Sequence, residues 1–374
     1  MIIMIFVFIL ITSIFLGLMH LIIFDALISL FALSPAGQLL LGIILTILCL
    51  SFVLASVFNF NFNNLFTRIY YRISAAWLGM AFYLFLVSCL YLLAFLVLPI
   101  SSISFLNHFG ILLFALAIII STYGIFHARH ILIKNINITL PNLPTEWQGK
   151  KAVFISDIHL GAVNGENFAK KIVKKINELN PEIVFIGGDL YDGVKVNETE
   201  IVKPFANLHP VLGTYFVTGN HEEFRDDKIY LDSIKKTGIR VLNNELVAIN
   251  GLQLIGVDDR DSTHAEKFKN ILENLKIDKN KPSILLKHQP LQLDIASRAG
   301  ISMQISGHTH KAQVFPLNIS THFIFKGYDY GLRFWDKMAV YTSSGVGTWG
   351  PPLRVGSDSE IVVITFTIAA SPKK

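Results

Sequence analysis

The sequence predicts an all-α four-helix transmembrane domain followed by an α/β domain, and three observations carry that expectation. Between Met1 and His127 the only formal charges are Asp25, Arg68 and Arg72. The same stretch holds four apolar runs, each near the roughly 20 residues that an α-helix needs to cross a bilayer. Beyond His127 the composition is ordinary, and short apolar runs alternate with amphipathic ones, the pattern of a layered α/β structure. The 374 residues suffice for two domains. Their 16% charged share, against roughly 25% in soluble proteins, averages two unlike halves. The expected divisions are a transmembrane domain over 1–127, a connector over 128–150 and a second domain over 151–374.

The apolar runs extend from Ile3 to Phe24, Leu39 to Phe58, Ala75 to Leu98 and Phe105 to Phe126. Asp25 ends the first, Ser34-Pro35-Ala36-Gly37 precedes the second, Asn59 to Arg72 separates the second from the third, and Pro99 closes the third. A cleavable signal peptide would open on a positive segment. Met1-Ile2-Ile3-Met4 carries none, so the first run is expected to be a retained helix. Arg68 and Arg72, then Arg129, Lys134, Lys150 and Lys151, fall on one side of a four-span protein. The bias of Lys and Arg toward the cytoplasm places that side, and the C-terminal domain, inside a bacterial inner membrane. His20 and His108 lie near span ends and are expected to be interfacial residues. The net charge of +5 suits a surface facing anionic lipid and requires no nucleic-acid partner. Cys49 and Cys89 both lie in apolar runs, so the C-terminal half has neither disulfide nor thiolate metal site.

In that half the Pro and Asn residues of 135–144 mark the connector, where alternating Ile136 and Ile138 suggest an edge strand. Ala152 to Ile155 and Ile183 to Ile186 read as buried strands. Between them Phe168, Ile172, Ile176 and Leu179 share one helix face, and Lys170, Lys171, Lys174 and Lys175 face water. Further strands are expected at Val211–Val217, Leu252–Val257, Ser283–Leu286, Met303–Ile305, Ala339–Tyr341 and Ile361–Phe366.

The informative residues stand just after the strands. They are Asp157 and His159, then Asp189, Asn220 and His221, His288, and finally His308 and His310. In α/β sheets, loops at the carboxyl ends of strands converge on sites. Each motif alone is weak; all five in order are not a random scatter. Imidazole and carboxylate donors without thiolate suit Mn, Fe, Zn or Ni. Two divalent ions about 3.5–4 Å apart can grip the attacking and leaving oxygens of a phosphate ester. Such chemistry needs a carboxylate between the ions, a bridging hydroxide as nucleophile, and an imidazole outside the metal shells to protonate the leaving oxygen.

Asp157-Ile158-His159, Gly188-Asp189, Gly219-Asn220-His221-Glu222, Lys287-His288-Gln289-Pro290 and Gly307-His308-Thr309-His310 together resemble the calcineurin-like metallophosphoesterases over about Lys151 to Phe366. The resemblance implies a four-layer αββα sandwich. It also implies that Asp157, His159 and His310 hold one metal, that Asn220, His288 and His308 hold a second, and that Asp189 bridges them. His221 would then be the catalytic acid or charge stabiliser, outside the metal shells. Glu222 is expected to brace the turn rather than to bind metal. Asn243-Asn244-Glu245, Gly256-Val257-Asp258-Asp259 and the Gly/Pro-rich stretch Gly345 to Arg354 resemble a bacterial membrane-associated subgroup. That subgroup includes envelope phosphodiesterases and a UDP-diacylglucosamine hydrolase. Where it reads Gly-Gly-Gln after the last His, this chain has Lys311-Ala312-Gln313. Arg354 could clamp a phosphate or make a structural ion pair.

The leading expectation is therefore a phosphodiester or pyrophosphate hydrolase with two divalent metals. Membrane lipids and a lipid-linked phosphate ester are its expected partners, with no protein partner. A non-catalytic metal-binding membrane scaffold would have lost donors, and all eight residues are present. A transporter would carry mid-span charges, and none is found.

Overall fold

The computed structural model describes residues 2–99, 103–224 and 227–368. The last six residues of the expected second domain, 369–374, lie outside the described residues. The chain divides into two compact units, Met1–His127 with Gly350–Val355, and Ala128–Trp349 with Gly356–Lys374.

The first unit contains α1 (Ile2–Phe31), α2 (Pro35–Asn61), α3 (Leu65–Val97) and α4 (Ile103–His127). All four are long and apolar enough to cross a membrane. Their outward side chains are apolar, with Leu39, Leu96 and Phe126 more than half exposed, as suits a surface solvated by lipid. The helices outrun the apolar stretches. Asp25 lies inside α1, and Arg68 and Arg72 lie in the first turns of α3. A charge ends the apolar run but not the helix, because Asp and Arg cost little in helix propensity. Chain breaks come instead from caps. The Ser34 side chain accepts from Gly37 N ahead of α2, and Asn64 with Thr67 forms a capping box ahead of α3. His20 packs among the helices. It is buried, receives the Trp77 indole N–H at 3.0 Å, and pairs through Nδ1 with the Leu16 carbonyl. Arg354 is completely buried in this unit, and its backbone N–H donates to Gly124 O.

The second unit carries two six-stranded sheets among the described residues. Its strands are β1 (Ile131–Thr139), β2 (Lys151–Ile155), β3 (Ile183–Ile186), β4 (Thr214–Phe216), β5 (Arg240–Val241), β6 (Glu245–Ile249), β7 (Leu252–Gly256), β8 (Ser283–Leu286), β9 (Met303–Ser306), β10 (Gly331–Trp335), β11 (Met338–Thr342) and β12 (Ser359–Thr367). Its helices are α5 (Glu166–Glu178), α6 (Glu198–Val202), α7 (Asp227–Lys235), α8 (Asp259–Ser262), α9 (Ala265–Asn274), α10 (Leu293–Ala299) and α11 (Leu317–Ile324). One sheet runs β1-β12-β2-β3-β4-β5 and the other β10-β11-β9-β8-β7-β6.

Each central strand is buried on both faces, so its apolar run is continuous. The alternate residues Ala152 and Phe154, Ile183 and Phe185, and Ile284 and Leu286 meet in the core between the sheets. Val153, Ile155, Val184 and Ile186 turn outward onto Ile172 and Ile176 of α5 and Ile234 of α7. Ile255, Leu285 and Val340 of the other sheet pack on Phe268 of α9 and Ala296 of α10. The result is the expected α, β, β, α layering. Strands β2, β3 and β4 are mutually parallel, as are β7, β8 and β9. Their carboxyl ends therefore lie along one edge of each sheet. The expected strand at Val211–Val217 shortens to β4, because Pro210 and Gly213 close a turn before it.

Candidate metal centre

The loops leaving β2, β3, β4, β8 and β9 bring the singled-out residues together. Asp157, His159 and His310 form one group of donors, Asp189, His288 and His308 a second, and His159, Asp189 and His221 a third; within each, the donor atoms lie within 4.8 Å of one another. Asp189 Oδ2 lies 3.1 Å from His288 Nε2 and 3.8 Å from His159 Nε2, so this carboxylate stands between the two sides. Asn220 joins the second group, its Oδ1 lying 2.9 Å from His308 Nδ1.

The backbone is bent to achieve this. Asp157, His159, Asp189, His308 and His310 all have φ between +49° and +70°. The left-handed region costs a residue bearing a Cβ about 1–2 kcal/mol. Such conformations persist where surrounding bonds over-determine them. The Asp157 carboxylate accepts from His308 N at 2.9 and 3.1 Å, tying the β2 loop to the β9 loop across the sheets. Asp189 Oδ1 accepts from His221 N at 2.9 Å. Glu222 is a brace: its carboxylate accepts from Asp189 N, Gly219 N and Tyr191 N at 2.8–3.0 Å. Gly307 allows the close approach, since a Cβ there would collide with the Asp157 carboxylate and Ser156 Oγ.

The cluster fits cations rather than its own hydrogen bonds. His288 Nδ1 is 2.7 Å from the Gly187 carbonyl, so it carries the proton and leaves Nε2 as a lone pair. That lone pair faces the Asp189 carboxylate at 3.1 Å, and His159 Nε2 faces His310 Nε2 at 3.0 Å. Acceptors so placed repel unless a proton or a metal lies between them. Buried His288 Nε2 has no hydrogen-bond partner among the described residues. Without a metal, the electrostatics favour the proton. Burial opposes charge on His288, but Asp189, Asp157 and Asp259 outweigh it and hold the imidazole well above its ordinary range. Burial likewise opposes ionisation of Asp189, yet His288, His221 and His159 keep its carboxyl well below the usual range. Burial and the neighbouring His288 push His308 down to about 3, leaving it a neutral donor.

Asp192 went unnoticed in the sequence. Its Oδ1 lies 3.3 Å from His159 Nδ1, and its backbone carbonyl lies 3.1 Å from His221 Nδ1. It orients both rings, and the available signal was a second acid three residues beyond Asp189. Trp349 was likewise read only as part of a motif. Its ring stands edge-on to His221 at 5.8 Å, and its backbone exchanges two hydrogen bonds with Gln313. The other subgroup motifs buttress the loops. Asp258 accepts from Thr218 near Asn220, Asp259 accepts from Gln289 beside His288, and Asn244 accepts from Asp258 N. In place of two glycines, Lys311 and Ala312 adopt φ of +50° and +58°, and the Lys311 ammonium lies 4.6 Å from the Tyr330 ring centroid.

A four-layer sandwich with a buried Asp/His/Asn cluster at its strand ends defines a metal-binding α/β protein. Residues 150–312 match the family model of the calcineurin-like phosphoesterases. A metallophosphoesterase of Aquifex aeolicus is 31% identical over 259 residues, which cover 67% of this chain and 97% of that protein. The chain belongs to the calcineurin-like metallophosphoesterase family. An uncharacterized metallophosphoesterase of Campylobacter jejuni is 32% identical over 63% of each chain. A zebrafish transmembrane protein with a metallophosphoesterase domain is 32% identical over 66% of this chain and 60% of that one. The match thus spans somewhat under two thirds of these last two relatives. Among solved structures, an anchor protein of the inner membrane complex of Plasmodium aligns at 13% identity over 57% of this chain and 80% of that chain, with a TM-score of 0.35, too distant to argue from.

Proposed function

We propose that this membrane protein is a phosphodiesterase or pyrophosphatase acting on a lipid-linked substrate, with UDP-diacylglucosamine as its chemical type. The observation that carries the reading is the Asp189 carboxylate standing between His288 and His159, with a further donor set on each side. Asp157, His159 and His310 would hold one divalent ion, and Asn220, His288 and His308 the other, with Asp189 shared. The chemistry supplied by such ions when bound is neutralisation of phosphoryl charge and acidification of a water. The chain's own residues do the rest. Asp157 and Glu222 fix the loops. Asp192 holds His221 through Nδ1, leaving the other nitrogen to pass a proton to the leaving oxygen. Trp349 bounds the His221 side of the site with apolar surface.

The membrane unit argues for a substrate that resides at the bilayer. Arg68 and Arg72 at the amino end of α3, and Arg129 just past α4, support a cytoplasmic site in a bacterial inner membrane. The experiment is hydrolysis of UDP-diacylglucosamine by detergent-purified, Mn-loaded full-length protein. Release of UMP supports the reading. No turnover of this lipid while a chromogenic diester is cleaved would reject the lipid nucleotide; inactivity on both with metal bound would favour a non-catalytic scaffold.

A further inference from the structure

Amphipathic helices on water-soluble domains turn their apolar stripe inward, and α11 does the reverse. Ten large apolar side chains of the α/β unit are exposed among the described residues, and five of them, Phe315, Leu317, Ile319, Phe323 and Ile324, fall within one stretch of ten positions. The α11 helix has no buried residue, and Phe323 is 75% and Ile324 65% exposed. On a 3.6-residue period, Leu317, Ile319, Phe323 and Ile324 share one broad arc; Asn318, Thr321 and His322 share the other. The polar arc is the better covered: Asn318 and Thr321 are half-buried, and His322, though its side chain is 58% exposed, has its Nδ1 3.1 Å from Asp329 Oδ1.

Patches of this kind on a soluble monomer mark an interaction surface. Its surroundings identify the occupant. Lys326, Arg333 and Lys337, which follow the helix in sequence, are exposed, against one exposed acid, Asp336, in the stretch 311–337. An exposed apolar face in a stretch whose exposed charges are mostly basic complements a bilayer with anionic headgroups. The unit is joined through Ala128 to four helices long and apolar enough to span a membrane, so lipid is always within reach. The helix is also coupled to the metal centre. Asp329, which anchors His322, accepts through its carbonyl from Thr309 Oγ1, between His308 and His310, and the Phe325 ring lies 6.1 Å from that of His308.

We propose that α11 with Phe315 is an interfacial anchor that lies in the headgroup layer of an anionic bilayer and holds the mouth of the metal centre against the lipid surface. This inference stands on the inverted helix and the exposed basic residues that follow it in sequence, and does not depend on which phosphate ester is cleaved.

The test places a nitroxide on full-length protein in vesicles of phosphatidylethanolamine and phosphatidylglycerol. Phe323→Cys is made with Cys49→Ser and Cys89→Ser, and Ile319→Cys serves as a second site on the same face. Ile229→Cys, on α7 and 51% exposed, reports ordinary water. Collision rates with oxygen, which partitions into lipid, and with a nickel chelate, which stays in water, are compared. The expected result is an oxygen-to-nickel ratio several-fold higher at 323 and 319 than at 229. A ratio equal to that at 229 would overturn the proposal. So would protection of 323 and 319 from both reagents, which would mean that protein rather than lipid covers the face.

Discussion

Replacing Glu222 should damage the metal centre from behind without touching a donor. The side chain is fully buried and receives three backbone N–H groups, those of Asp189, Gly219 and Tyr191. Burial and the neighbouring Asp189 push the Glu222 carboxyl up to about 8, so the cost lies in the donors left behind: a buried N–H left unpaired costs about 1–3 kcal/mol. Water entering the space left by Glu222→Ala would satisfy part of this, so the net loss is about 4 kcal/mol. In a domain of this size that lowers the melting midpoint by about 8–16 °C. Glu222→Gln keeps the packing and turns one acceptor into a donor. Its one carbonyl can keep Asp189 and Gly219, but its amide nitrogen then faces Tyr191 N–H, for an intermediate loss of about 2 kcal/mol. Thermal unfolding followed by tryptophan fluorescence, with metal content by mass spectrometry, reads both effects. Glu222→Ala melting within about 3 °C of the parent, with full metal content, would refute the bracing argument.

Three further outcomes follow from the same geometry. Ala312→Gly relieves a left-handed residue at a cost of about 0.5–1 kcal/mol in unfolded-chain entropy, and should raise the midpoint by about 1–3 °C; a drop would show that the Cβ is needed there. Stripping metal with a chelator should lower the midpoint by about 5–10 °C relative to protein at a free-metal level 100 times its Kd, where binding adds about 2.7 kcal/mol. His221→Ala should reduce kcat on a chromogenic diester by about 10²–10⁴ while metal content holds. Loss of metal in that variant would instead make His221 a ligand, a role its place beside His159 and Asp189 permits.

The elements that sequence made legible are those whose burial leaves an unambiguous pattern. Strands β2, β3, β8 and β9 are short continuous apolar runs because both faces are covered, and α5 shows a clean stripe because only one is. Edge strands were harder to see. The β6–β7 hairpin turns at Asn250-Gly251, both with positive φ. That dipeptide is a strong hairpin signal, but β6 is only half buried and its apolar alternation is weak. The α11 helix was invisible for a related reason: its apolar stripe faces out, so its pattern reports no core. In the membrane unit, apolar runs located the helices but not their ends, which caps at Ser34 and Asn64 decide. At the candidate site, the order of Asp, Asn and His after strands could be read directly. What could not be read was which loops meet: Asp192 follows β3 and His221 follows β4, neighbouring strands of one sheet, and their separation of 29 positions hides the contact.

The most direct test of the central claim is hydrolysis of bis-p-nitrophenyl phosphate by Mn-loaded full-length protein, parent against Asp189→Asn. The substitution keeps the shape of the side chain and removes the shared negative charge. The account predicts turnover by the parent and none above background in the variant, together with loss of bound metal. Equal rates in the two proteins would contradict the placement of Asp189 between two metals, and with it the proposed chemistry.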